Sequence, residues 1–310
     1  MKREFCQALV DLRREDQLLF LTGDLGFDAL EPLREVLGPR FINAGIAEQN
    51  MVGVAAGLAR GGFRPWVYSI ATFSYARPFE QIRNDVCAHQ LPVRIAGNGG
   101  GYGYGVQGST HHALEDYGVL LTLGGLQVFV PTFGADLAPA VEQMHRLPGP
   151  AYLRLGLSEE PRGFRVPPFA PWRRLVEGAG PTVVAVGAIA GSLVEPLSSL
   201  EGLDRPSLWS LSVLPFTELP EALLADLARS KALVVVEEHV AQGGVAQMLA
   251  HHLLLRGLAP RTFRSHAAAG YVTGLHGSQK YHRRECGLDP ASVRDSVLEL
   301  ARGLAALRAS

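Results

Sequence analysis

Four nearly continuous apolar runs of strand length punctuate the first part of the chain: Leu18–Asp24 (LLFLTGD), Pro65–Ile70 (PWVYSI), Pro92–Asn98 (PVRIAGN) and Leu126–Thr132 (LQVFVPT). Turn or breaker residues bound them, the pattern of strands buried on both faces. Between them, helical periodicity marks Arg3–Glu15, Ala47–Arg60, Arg77–His89, Leu114–Leu123 and Ala135–Arg146. Strands that alternate with helices predict a mostly parallel sheet covered on both sides. Pro150–Gly156 (PAYLRLG) adds a further strand, and Ser158–Arg174 then crowds prolines and charges into a short span, the mark of a boundary. After it the pattern restarts, with strands at Pro181–Ala188, Pro206–Leu214 and Lys231–His239 and a helix over GGVAQMLAHHLLLRG, stopped by Gly257. The reading is α/β: two consecutive domains with mostly parallel sheets, residues 1–160 and 174–310, joined by a linker over 161–173.

Composition narrows the class of partner. A chain of 310 residues has room for two ordinary cores. With 29 basic and 30 acidic residues it carries no electrostatic footprint for nucleic acid or an anionic membrane. No apolar run approaches the ~20 residues that span a bilayer, and the charged start MKREFCQALVDLRRED has no signal-peptide core. Cys6, Cys87 and Cys286 are odd in number, far apart and without metal or redox spacing, which suits a reducing, cytoplasmic setting.

The candidate chemistry starts at Gly97–His112, GNGGGYGYGVQGSTHH. Gly103, Gly105 and Gly108 match the spacing of a dinucleotide loop. That loop needs a tight turn after its strand and an acid ~20 positions on. Here the strand ends near Ala96 and the next strand ends without such an acid, so dinucleotide binding is set aside. A substrate loop at the carboxyl edge of a parallel sheet fits better. Its glycines let the backbone approach a ligand, and Tyr102, Tyr104, Gln107, His111 and His112 supply polar tips. Ser109 or Thr110 is expected to cap the helix that follows. The paired histidines either complete the turn or handle protons near neutrality.

A second stretch, Phe41–Asp85, contains Gly45-Ile46-Ala47-Glu48-Gln49 and ends in PFEQIRND. Taken alone, Glu48 is an acid that favours the dipole of a small-residue helix. The whole string resembles the pyrimidine-binding domain of thiamine diphosphate enzymes of the transketolase family. The likeness continues through THHALED, VFVPT and PAYLRLG, and VVVEEHVAQGGVAQ is similar to the family's carboxy-terminal domain. The resemblance implies transfer of a two-carbon ketol unit from a ketose to an aldehyde. Glu48 would be the catalytic acid that hydrogen-bonds the pyrimidine nitrogen, so that the imino tautomer removes the thiazolium proton. Such a carboxyl should be buried beside apolar groups such as Ile46, Met51 and Val52, which favours its protonated form. Ile46, Phe73 and Arg77 become cofactor contacts. Phe73 serves either as the ring under the pyrimidine or as a core aromatic, and Arg77 either faces the site or pairs with a local acid. His111 would contact substrate hydroxyls and move protons, with His112, Gln107 and Tyr104 as further substrate contacts.

In that family the diphosphate and Mg2+ are held by a separate domain that starts with Gly-Asp-Gly. The nearest string here, GDLGFD at Gly23, opens the pyrimidine-type half instead. The chain therefore resembles the second half of a transketolase, with no metal ligands of its own. The resemblance implies an N-terminal, diphosphate-binding partner subunit in an α2β2 heterotetramer. Departures from the family pattern point to unusual substrates. A loop histidine and an aspartate are replaced by Gly99 and Gln107. The phosphate-binding arginine three residues past Arg154 is replaced by Leu157, and a phosphate-binding serine by Asp28, an anion that would repel phosphate. Arg3 stands at another phosphate contact. Two alternatives share parts of the pattern: the beta subunit of a 2-oxoacid dehydrogenase, and a non-catalytic interaction subunit.

Overall fold

The computed structural model describes residues 1–26 and 29–309. Its strands are β1 (Leu18–Thr22), β2 (Phe41–Asn43), β3 (Arg64–Ile70), β4 (Arg94–Asn98), β5 (Gln127–Phe129), β6 (Ala151–Leu155), β7 (Trp172–Val176), β8 (Thr182–Val186), β9 (Ser207–Leu211), β10 (Val213–Leu214), β11 (Ala232–Val240) and β12 (Thr262–Ala268). Among the described residues they form a seven-stranded sheet, β10-β5-β6-β4-β3-β1-β2, and a five-stranded sheet, β12-β11-β8-β9-β7. Pairing is parallel except at β5–β10 and β7–β9. β1, β6, β8 and β9 are buried along their whole length, as strands covered on both faces are, and β1 and β8 show it as nearly continuous apolar runs.

The first sheet reverses direction beside β1. The chain passes from β1 to β2 on one side and returns to β3 on the other. A crevice opens outside the carboxyl ends of strands at such a switch point. The helix Glu48–Arg60 begins there. Its buried side chains, Met51, Val52, Ala55, Ala56 and Ala59, recur at helical spacing and pack toward β3. The turn before it needs Gly45, whose φ is +71° and whose amide donates to Asn43 Oδ1 at 3.0 Å.

The two sheets are not independent. β10 lies beyond the proline-rich stretch yet pairs with β5 of the first sheet. Leu214 of β10 belongs to one buried cluster with Met51, Val128, Val184, Trp209 and Val235, so the core runs from one half into the other. The single strand expected over Pro206–Leu214 is divided at buried Ser212, whose hydroxyl is tied to Thr132 and Arg173.

Other expectations also shift. The helix expected over Arg77–His89 starts at Phe79 and becomes a π-helix over Ile82–Cys87. Pro78 explains the late start, because the residue before a proline avoids the helical region. Arg77 is thus left outside the helix. The helix expected over Leu114–Leu123 is confined to Asp116–Leu120, and neither Ser109 nor Thr110 caps it, since Glu115 stands at its N-cap. The intervening residues are spent on the loop's own turn, with the amides of His111 and His112 both donating to the Gly108 carbonyl. Trp172 and Arg173, expected in the linker, begin edge strand β7. Among the described residues no helix is long and apolar enough to cross a membrane.

Candidate active site

Glu48 stands at the first turn of its helix, 3% exposed, beside Gly23 and Ser69 at the ends of β1 and β3. Burial was expected, but its closest partners are polar. Arg77 Nη1 donates to Oε1 at 3.1 Å and to Oε2 at 3.0 Å, and Ser69 Oγ lies 3.5 Å from Oε1. Its carboxyl oxygens are thus met by a guanidinium and a hydroxyl rather than by the apolar groups expected. Of the two roles left open for Arg77, it both faces the site and pairs with an acid. Its guanidinium also lies over the Phe73 ring, 4.0 Å from the centroid.

From Phe73 the contacts continue into the glycine-rich loop. The His111 ring meets Phe73 edge-on at 5.3 Å and Tyr104 at 5.7 Å. Thr110 Oγ1 is 2.8 Å from His111 Nδ1, and Asn98 Nδ2 donates to the Tyr104 hydroxyl at 2.8 Å. Glu48, Arg77, Phe73, His111 and Tyr104 therefore form one continuous line. A cleft of about 550 Å³ opens beside it, lined by Ile46, Ala47, Glu48, Gln49, Asn50 and Arg77. Gln107 is exposed on a short 3-10 turn, Gly105–Gln107, in the same loop.

His112 departs from its expected place. It is buried, with Nδ1 2.6 Å from the Tyr271 hydroxyl and Nε2 2.8 Å from the Gly105 carbonyl oxygen. Burial lowers its pKa, helped by nearby His282. With both ring nitrogens engaged it holds the loop, and its neighbour His111 is the one that meets Phe73. Ser69, Thr72 and Asn98 were not singled out from sequence. Thr72 donates to the His112 carbonyl at 2.9 Å, and each of the three sits at or just past a strand end, the one signal that marks them.

The described positions where the sequence departs from the family pattern, and Arg154 near them, take definite places. Arg154 is buried and spends its donors inside the protein, on Asp116 and on the carbonyls of Ala113 and Glu238. Leu157 is exposed, and Arg3 is exposed on the first helix. Gly99 has φ +78°, and a side chain there would collide with the Tyr104 ring. Asp28 lies outside the described residues. Among the described residues no group of three His, Cys, Asp or Glu side chains could hold a metal ion.

Known proteins resemble the chain over most of its length. Residues 12–159 match the family described as the transketolase pyrimidine binding domain. An apulose-4-phosphate transketolase subunit from Actinobacillus succinogenes is 32% identical over 276 residues, which is 87% of this chain and 88% of that one. Its namesake from Phocaeicola vulgatus is 30% identical over 309 residues, 97% of each chain. A solved structure described as a split-gene transketolase in an inactive beta4 tetramer has a TM-score of 0.78 at 30% identity, covering 96% of this chain and 97% of that one.

Proposed function

The chain belongs to the transketolase family, and from that premise we propose that it is the C-terminal subunit of a cytoplasmic, thiamine diphosphate-dependent enzyme that moves a two-carbon ketol unit from a ketose to an aldehyde. The observation that carries this reading is the line from Glu48 through Arg77 and Phe73 to His111, beside a cleft at the sheet's switch point. The Arg77 guanidinium gives a test of fit. It is planar and nitrogen-bearing, and it stacks on Phe73 while hydrogen-bonding Glu48. A pyrimidine ring has the same two properties, so the pair suits that group.

Thiamine diphosphate, when bound, supplies a carbon nucleophile that can also store negative charge. The chain's own residues provide the rest. Glu48 would hydrogen-bond the pyrimidine nitrogen, Phe73 would support the ring face, Ile46 would shield the rim, and Arg77 would hold the Glu48 carboxyl until the ring takes its place over Phe73. His111, its Nδ1 engaged by Thr110, uses Nε2 to give and take protons at substrate hydroxyls. Tyr104 and Gln107 are further substrate contacts. Residues 1–160 form the pyrimidine-binding domain, 161–171 the linker and 172–310 the second domain, whose β10 reaches back to the first sheet.

A partner subunit carries the diphosphate-binding domain and most of the Mg2+ ligands, in an α2β2 assembly. Support comes from the cleft itself, where Ile46 is 77% exposed at the lip. An apolar side chain so placed suits cover by another surface. The buried Arg154 and the leucine at position 157 support a non-standard sugar. Because two relatives are named for apulose 4-phosphate, that ketose is the first donor to try. Co-purification with the diphosphate-binding partner, followed by assay of ketol transfer from ketoses to an aldehyde acceptor, tests the proposal. Turnover of apulose 4-phosphate well above that of xylulose 5-phosphate supports it. Oxidation of 2-oxoacids with a dye acceptor, and no ketol transfer, overturns it.

A further inference from the structure

The glycine-rich loop is fastened at its neck, and half of the fastening comes from the distant part of the chain. Gly101 and Ala113 exchange backbone hydrogen bonds of 2.8 and 3.0 Å, which closes the loop between them. Arg154 of β6 donates Nη2 to the Ala113 carbonyl at 2.8 Å and to the Glu238 carbonyl at 2.9 Å. Glu238, on β11 of the second sheet, accepts the Tyr102 amide on Oε1 at 2.8 Å. It accepts Gln279 at 2.9 Å on the same oxygen, and Arg283 on Oε2 at 2.7 and 3.0 Å. Gly101 has φ +68°, and a Cβ there would lie 2.6 Å from Glu238 Cδ, so the carboxylate reaches the neck only because the residue is glycine.

The same half of the chain also holds the loop beyond its neck. Tyr271 bonds His112, which in turn bonds the Gly105 carbonyl. Gly105 lies against Gly277 and Ser278, and Gly108 against His276. The ring contacts of His111 are with Phe73 and Tyr104, so the second half acts on His111 through the loop backbone. Burial works against the Glu238 carboxylate, yet Arg283, Gln279 and the Tyr102 amide hold its pKa below the ordinary value.

The geometry points to Glu238 as a positioning residue: from the second sheet it fixes the neck of the loop and thereby the place of His111 against Phe73. This inference rests on the role assigned to His111 above. Glu238→Gln keeps the size but turns an amide toward groups that only donate. In the complex with its partner subunit, kcat should fall about tenfold or more, as for a catalytic group misplaced by a fraction of an ångström. Cofactor affinity should stay within about twofold, and amide exchange across residues 102–112 should speed by about tenfold or more. In a His111→Ala background the substitution should cost less than about twofold further, the non-additivity of residues that act as one unit. Gln279→Ala, which removes hydrogen bonds and no charge, should give the same signature at smaller amplitude, and it serves if Glu238→Gln fails to fold. Unchanged loop exchange overturns the inference, as do costs that multiply with those of His111→Ala or joint loss of cofactor and activity. Exchange is read on the chain itself, so a wild-type complex without ketol transfer would count against the functional reading while faster exchange still upheld the clamp.

Discussion

The cleft and the seam between the sheets each centre on a glutamate paired with an arginine, and the two pairs are built for opposite purposes. At the cleft Glu48 is buried, but Arg77 keeps 48% of its side chain exposed. At the seam Glu238 and Arg283 are both buried, at 7% and 5%. An exposed guanidinium can leave and be hydrated again, so that pair is exchangeable at modest cost. Neither partner of a fully buried pair can leave without stranding a charge. The molecule thus keeps a replaceable counter-ion beside the cleft and fixed counter-ions where the loop is held.

The largest effect should come from the receiving side. Glu48→Gln in the partner-bound complex should lower ketol transfer by about 10³-fold, within the range of lost acid–base catalysis, while cofactor remains bound. An unchanged rate would identify a silent interaction subunit. On the holding side, Arg154→Met leaves Asp116, which is fully buried, without its guanidinium. It should cost about 3–5 kcal/mol in denaturant unfolding, the usual penalty for stranding a buried charge. A loss no larger than that of a surface substitution would break the contrast between the two regions.

Acid should act on the buried framework next. Burial, the main cause, holds both His145 and His239 down to about 4. His239 reaches across the seam: its Nδ1 lies 2.7 Å from the Val240 carbonyl and its Nε2 accepts the Gly118 amide, an arrangement only the neutral ring allows. An unfolded histidine titrates near ~6.5. Between these values the unfolded chain takes up protons that the folded chain refuses. Stability should therefore fall as pH drops from ~6.5 toward 4, by about 1.4 kcal/mol per pH unit for each histidine, and stay level on their account above pH ~7. Denaturant midpoints at pH 7, 6 and 5 measure this, and His239→Gln should flatten the slope by one proton's worth.

Arg77→Met should show the smallest change in stability, within about 1 kcal/mol, while turnover falls about tenfold. A loss in unfolding free energy as large as that of Arg154→Met would show that the cleft pair is structural after all.

Most of the first sheet was legible because parallel strands buried on both faces leave uninterrupted apolar runs. The edges were not. β10 is two residues long and β7 sets two arginines among its five residues, too little apolar pattern to register. Arg77 was legible as a candidate but not in its role, which depends on Pro78 ending the helical option one residue away. His111 and His112 are the sharpest case. Identical neighbours face different surroundings, because Tyr271 and Glu238, some 160 and 136 positions from the groups they bond, decide how the loop runs. No local signal carries that information.

β10 has a practical bearing on dissecting the polypeptide. Cutting it within 161–173 would remove residues 213–214 from β5 and leave unpaired amides and carbonyls along that margin, a template on which other molecules can add strands. A fragment ending there should clump, whereas one that runs past Leu214 keeps its border sealed.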